Sequence, residues 1–222
     1  MPKRRNVVSN FGMGARMRHA INKDLYAYWD RLRGARAAPD RNDIDPSAIR
    51  HLLADCFIVE IDEACEFPLR LSGTRLNALR GSEGRGAPFL DMWREADRRE
   101  LAAAVLTVID GATPIVGAVK ARAGAGDGED AARRDLDLEL LLLPMRHFGK
   151  TRSRLLGALA PFGEVDWFGR VPAAKLEIGC LRMMSVYERQ QNSVRRAPMP
   201  SFAPQAGSVR HLIVYEGGKA RA

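Results

Sequence analysis

The chain is short of the residues that carry most recognisable chemistry. It has three cysteines, Cys56, Cys65 and Cys180, and four histidines in 222 residues. An odd number of widely spaced cysteines with no C-x-x-C pair builds neither a disulfide framework nor a zinc site, and it points to a reducing cytoplasm. No apolar run reaches the roughly 18 residues of a membrane span. The basic N-terminus has no apolar stretch behind it, so it does not read as a secretory signal. G-x-S-x-G and a complete P-loop are both missing. Gly81-Ser82-Glu83-Gly84-Arg85-Gly86 has the glycines of a phosphate loop, but it follows no strand and lacks the Gly-Lys-Ser/Thr ending. No catalytic residue, no metal ligand set and no cofactor is therefore expected, and the chain does not read as an enzyme.

Negative charge is scarce at the two ends. The net charge is +8, yet residues 1–20 hold five Lys/Arg and no acid, and residues 150–222 hold twelve Lys/Arg against five Asp/Glu. The middle is slightly acidic. Residues 1–21, with Gly12 and Gly14 and no periodicity, read as a flexible basic arm. Residues 190–208, rich in Pro, Ser, Gln and Arg, cannot fund a core, so 186–222 reads as a mostly disordered basic tail with a short apolar end at His211–Tyr215. The folded domain is expected at 22–185. Basic ends suit acidic partners such as nucleic acid, or simply make a solvated arginine-rich surface.

What is present is led by Leu136-Asp137-Leu138-Glu139-Leu140-Leu141-Leu142-Leu143-Pro144. It starts as strict alternation, the pattern of a half-buried strand, and ends as solid leucine. Leu136, Leu138, Leu140 and Leu142 share one face; Asp137, Glu139, Leu141 and Leu143 share the other, so something must cover that second face further along. The cover is expected upstream, on an amphipathic helix at about Lys23–Arg33. Its apolar Leu25, Tyr28, Trp29 and Leu32 recur at i, i+3, i+4 and i+7, with Asn22 as the cap and Gly34 as the stop.

Between helix and leucine strand the pattern is legible piece by piece. Asp45-Pro46 starts a short helix. Cys56–Ile61 and Phe67–Leu71 alternate across a turn at 63–66 and read as an antiparallel hairpin, with Pro68 placing the second strand at a sheet edge. Thr74–Trp93 breaks into short helical turns. A longer helix at about Ala96–Ile109 buries Leu101, Val105, Val108 and Ile109. Pro114–Ala121 is a strand, 124–130 a flexible loop, and Arg154–Leu159 another strand after a turn at 147–149. Leu176, Ile178 and Leu181 suggest a further short strand packed on the domain.

This order resembles a PAS domain. The segments Tyr28-Trp29-Asp30-Arg31-Leu32-Arg33-Gly34, Asp43-Ile44-Asp45-Pro46, Leu69-Arg70-Leu71-Ser72-Gly73-Thr74 and Leu140-Leu141-Leu142-Leu143-Pro144-Met145-Arg146 resemble a PAS-like family of small alphaproteobacterial regulatory proteins. The resemblance covers about 22–185. It implies an α+β fold: a five-stranded antiparallel sheet with helices on one face and the N-terminal amphipathic helix on the other. It also implies a sensory or regulatory role in signal transduction through protein contacts.

Such a sheet can enclose a small molecule against its helices. The expected wall is Leu69, Leu71, Leu101, Val105, Leu138 and Leu140, with Trp93 bordering it and Arg70 and Thr74 as polar orienting groups. The same residues would equally make a filled core. The PAS cofactor chemistries fit poorly. No cysteine lies on the helix before the long one, as a flavin adduct would need, and no histidine lies between His51 and His147 to ligate haem. Any ligand is an unidentified small molecule. Leu25, Tyr28, Trp29 and Leu32 are candidates for a homodimer contact as well as for capping the sheet. The rival reading is nucleic-acid association through the basic ends, although no helix-turn-helix or stacking platform supports sequence-specific recognition.

Overall fold

The computed structural model describes residues 17–62, 66–124, 135–147, 150–163 and 167–184. Most of the basic arm, the turn at 63–65, the loop at 125–134 and the whole of the expected tail lie outside them. Met17–Ile21, assigned to the arm by composition, belong to the described body.

Among the described residues six strands form one antiparallel sheet: β1 (Cys56–Glu60), β2 (Leu69–Ser72), β3 (Ile115–Ala121), β4 (Leu136–His147), β5 (Lys150–Pro161) and β6 (Glu177–Met183). Their order is β2-β1-β5-β4-β3-β6. Five strands were expected in the sheet. The sixth is the apolar segment around Ile178, and it does not merely pack on the domain but pairs with β3 along its free edge. β2 lies at the opposite edge, where the proline before it, Pro68, breaks no ladder between two strands.

The helices divide between the two faces. α1 (Ala20–Arg33) covers one; α2 (Thr74–Arg80), a 3₁₀ turn at Phe89–Met92 and α3 (Glu95–Gly111) cover the other. β4 serves both. Leu136, Leu138, Leu140 and Leu142 enter the core under α2 and α3, while Leu141 and Leu143 enter the core under α1 with Leu25, Tyr28 and Trp29. The alternation of the sequence thus resolves into two apolar layers. Each fully buried Leu or Trp contributes about 1.5–3 kcal/mol of apolar burial.

Local chemistry fixes the ends of these elements. Asp45 caps the 3₁₀ turn Pro46–Ile49 by accepting from the Ser47 amide. Gly81 ends α2 at φ 73°, a left-handed conformation that suits glycine. α1 departs from expectation: it begins before Asn22, and its cap is His19, whose Nδ1 accepts from the Ile21 N–H while Nε2 donates to the Pro161 carbonyl. Asn22 sits inside the helix, engaged elsewhere.

One expected wall residue changes face. Ile58 pairs with Leu71 and Val59 with Leu69, so Arg70 is an extra residue bulged out of β2. Leu69 therefore enters the layer under α2 and α3, whereas Leu71 packs toward the α1 side.

Candidate functional site

The inner layer is built by aromatic contact as much as by leucine. Phe57 on β1 stacks on Phe89 at 5.0 Å between ring centres, and Phe89 meets Trp93 edge-on at 5.8 Å. Phe57 has room because its cross-strand partner is Gly157. A Cβ there would lie 2.2 Å from the ring. Trp93, Leu101, Val105, Leu138 and Leu140 are brought together in this layer, each with 0% exposure. The wall is therefore packed with side chains.

One atom in that layer is not satisfied. The indole Nε1 of Trp93 is buried and has no hydrogen-bond acceptor among the described residues. A buried donor left without a partner costs about 1–3 kcal/mol.

The two polar groups expected to orient a ligand lie elsewhere. Thr74 is exposed on the first turn of α2. Arg70 is exposed on the bulge and pairs with Glu60 at 2.6 Å, alongside Arg154 on the same carboxylate. Hydrogen bonding from Arg70, joined by Arg154, holds the Glu60 carboxyl below its ordinary range. Glu60 thereby bridges the bulge to β5.

The α1 layer is held by polar contacts that sequence reading missed. Glu139, on the same strand face as Leu141 and Leu143, is 3% exposed. Its carboxylate accepts from the backbone N–H groups of Arg18 (2.7 Å) and His19 (3.0 Å) and from the Asn22 side-chain amide (3.0 Å). Asp137, two residues earlier, instead lies 3.7 Å from Lys120 at the surface. Arg133 and Arg134, the basic residues just upstream of this acidic pair in the sequence, lie outside the described residues. The signal for Glu139 was present, because it shares the strand face already assigned to a covering helix. Further along, Trp29 Nε1 donates to the Pro144 carbonyl at 2.7 Å, and the Tyr28 hydroxyl both accepts from the Asp45 N–H and donates to its carbonyl. Leu25, Tyr28 and Trp29 are buried against the protomer's own sheet, and Leu32 is partly so.

Two further carboxylates are buried. Asp55 is fully buried beside Arg75, at 2.5 Å. Burial pushes its pKa up, and the Arg75 charge only partly opposes this. Burial, helped by the neighbouring Asp55 charge, pushes the adjacent Cys56 thiol up to about 12, which leaves it unreactive. Asp97 on α3 accepts from the Ile178 N–H of β6 and from Arg94. Burial pushes its pKa up, but these bonds and the Arg94 charge outweigh that and lower it. Among the described residues no three His, Cys, Asp or Glu side chains gather as metal ligands would, and no helix is long and apolar enough to cross a membrane.

Comparison with known proteins adds a family. The model of the PAS domain family matches residues 17–160. No curated protein matches. Among solved structures, that of an RNA-binding light-oxygen-voltage receptor aligns at 17% identity with a TM-score of 0.33, over 66% of this chain and 35% of the receptor. The chain thus spans about a third of that receptor's length.

Proposed function

The chain belongs to the PAS domain family, a family of sensory and regulatory domains, and on that footing we propose that it is a non-enzymatic cytoplasmic protein of bacterial signal transduction. It acts through protein contacts and is gated by a small molecule held in the inner layer. The observation that carries the gating is the unpaired, buried Nε1–H of Trp93 within an otherwise apolar wall. A largely apolar ligand with one acceptor would take that N–H and part the packing of the α2–α3 segment from the sheet. β4 alternates its side chains between both layers, so a shift on the inner face is felt under α1. A ligand moves that balance only by its differential affinity for the two packings. The α1 layer and the basic ends then present the change to a protein partner or a second copy.

Native mass spectrometry of the full-length protein, with an absorption spectrum of the same sample, tests this. The expected result is a retained small-molecule mass that Trp93→Phe loses. A bare wild-type mass, together with an equally or more stable Trp93→Phe protein, would make the layer a closed core and end the gating reading. The same spectrum reads the oligomeric state.

The net charge of +8 and its concentration at the ends support a second reading, nucleic-acid association. It predicts polyanion affinity that falls steeply with salt and with deletion of 1–16 and 185–222.

A further inference from the structure

A cleft lies on the outside of the helical layer. It measures about 570 Å³ and lies between the end of α2, the 3₁₀ turn, the start of α3 and residues 172–176. The last of these is a strap stitched down along its length. The Ala173 N–H donates to the Leu79 carbonyl at 2.8 Å, the Leu176 N–H to the Met92 carbonyl at 2.8 Å, and the Ala174 N–H to the Arg122 carbonyl at 2.9 Å. Pro172 sits so close to Gly81 that a Cβ there would come within 2.7 Å of it. The match to the PAS family ends at residue 160, so the strap lies beyond the matched domain and the cleft exists only because this chain carries it.

The charges in the cleft do not balance. Among the described residues, Arg80, Arg98 and Lys175 line it against a single carboxylate, Asp91. Lys175 spends a hydrogen bond on the Asp91 backbone carbonyl, not on its carboxylate. Arg98 approaches that carboxylate at 3.6 Å and also donates to the Trp93 carbonyl. Arg80 has no ion pair among the described residues, and its Nε–H is buried without an acceptor. A cation at the C-terminus of α2 is favourable to the helix, but that leaves the Nε–H unsatisfied. Leu79, Met92 and Leu176 close the floor of the cleft from the core, 1–7% exposed, and the volume falls within the roughly 300–1,000 Å³ of small-molecule sites.

We propose that this cleft is a binding site for a soluble phosphomonoester of about mononucleotide size. The net excess of two positive charges matches the roughly −1.5 to −2 charge of a phosphomonoester at neutral pH. Arginine's planar fork suits its oxygens, and a cleft of about 570 Å³ leaves room for the organic part. The charged groups of the cleft do not involve the Trp93 indole N–H, so this proposal stands or falls apart from the gating reading, although Leu79, Met92 and Leu176 belong to the same packed layer as Trp93.

The test is calorimetric titration of the full-length protein with adenosine 5′-monophosphate, inorganic phosphate and citrate at two salt concentrations, repeated on Arg80→Gln, Lys175→Gln and Trp93→Phe. The expected result is saturable binding of the nucleotide, tighter than phosphate alone. It weakens at least tenfold in Arg80→Gln and in Lys175→Gln, which keep the wild-type melting temperature, and is unchanged in Trp93→Phe. The proposal is overturned if no phosphate-bearing probe saturates, if citrate binds more tightly than the nucleotide, or if both charge variants bind as the wild type does.

Discussion

Asn22 donates from its side-chain amide to both the carboxylate and the backbone carbonyl of Glu139, at 3.0 Å each, across 117 positions of sequence. The pair ties the first turn of α1 to the first third of β4. The same carboxylate takes the Arg18 and His19 amides, so a buried negative charge sits where the helix leaves its amides unpaired, the end its dipole makes positive.

Removing that charge should detach the outer layer. Glu139→Ala leaves buried amide donors without an acceptor and should cost about 3 kcal/mol in urea unfolding, at one or more unsatisfied groups of about 1–3 kcal/mol each. Hydrogen exchange of residues 20–33 should accelerate more than that of β1. Glu139→Gln keeps an acceptor and should lose less than half as much. Equal losses in the two variants would show that the charge and its bonds do not hold α1.

The inner layer has its own tight point. Gly157→Ala would place a methyl 2.2 Å from the Phe57 ring, which is fully buried between β1 and Phe89 and cannot swing away. Overpacking of this kind costs about 1–3 kcal/mol. Phe57→Leu in the same chain should recover part of that cost, so a double-mutant cycle should show coupling of at least about 0.5 kcal/mol. Additive losses would mean that the ring is not the obstacle.

Much of this was legible in advance where the pattern is local. The alternation of Leu136–Leu143 gave both layers, and the i, i+3, i+4, i+7 spacing of Leu25, Tyr28, Trp29 and Leu32 gave their cover. What stayed hidden depends on distant partners. Asn22 has the chemistry of a cap, but Glu139 claims its side chain from 117 positions away, and His19 caps instead. Leu71 looked equivalent to Leu69 until the bulge at Arg70 turned it over. The strap at 172–176 has no periodicity because its amides pair with separate loops and helix ends rather than along one strand, and the cleft it closes is invisible without it.

Thiol chemistry should separate two cysteines. Cys180 lies exposed on the edge strand β6, while Cys56 is buried and its thiol is held at about 12. In the native protein at pH 8, a thiol reagent followed by peptide mapping should label Cys180 within minutes and Cys56 only on unfolding. Equal labelling of Cys56 would show that the β1 edge of the α1 layer opens readily.

Two buried acids should bend the stability curve in opposite directions. The folded pKa of Asp97 lies below its ordinary 3.8. Its bonds to Arg94 and Ile178 therefore stabilise above that value and are lost as pH falls through the folded pKa. Asp97→Asn should cost about 1–2 kcal/mol at pH 7, and the difference from wild type should shrink below pH 4. Asp55 is raised by burial, so between 3.8 and its folded pKa the native state holds the proton that the unfolded chain has released. Its ionisation then costs stability as pH rises through that window. Relative to Asp55→Asn, the wild type should lose stability from pH 4 upward, whatever constant offset the loss of Arg75's partner adds. Urea unfolding of the three proteins between pH 3 and 7 reads both slopes. A parallel pair of difference curves would show that one carboxylate has been given the wrong environment.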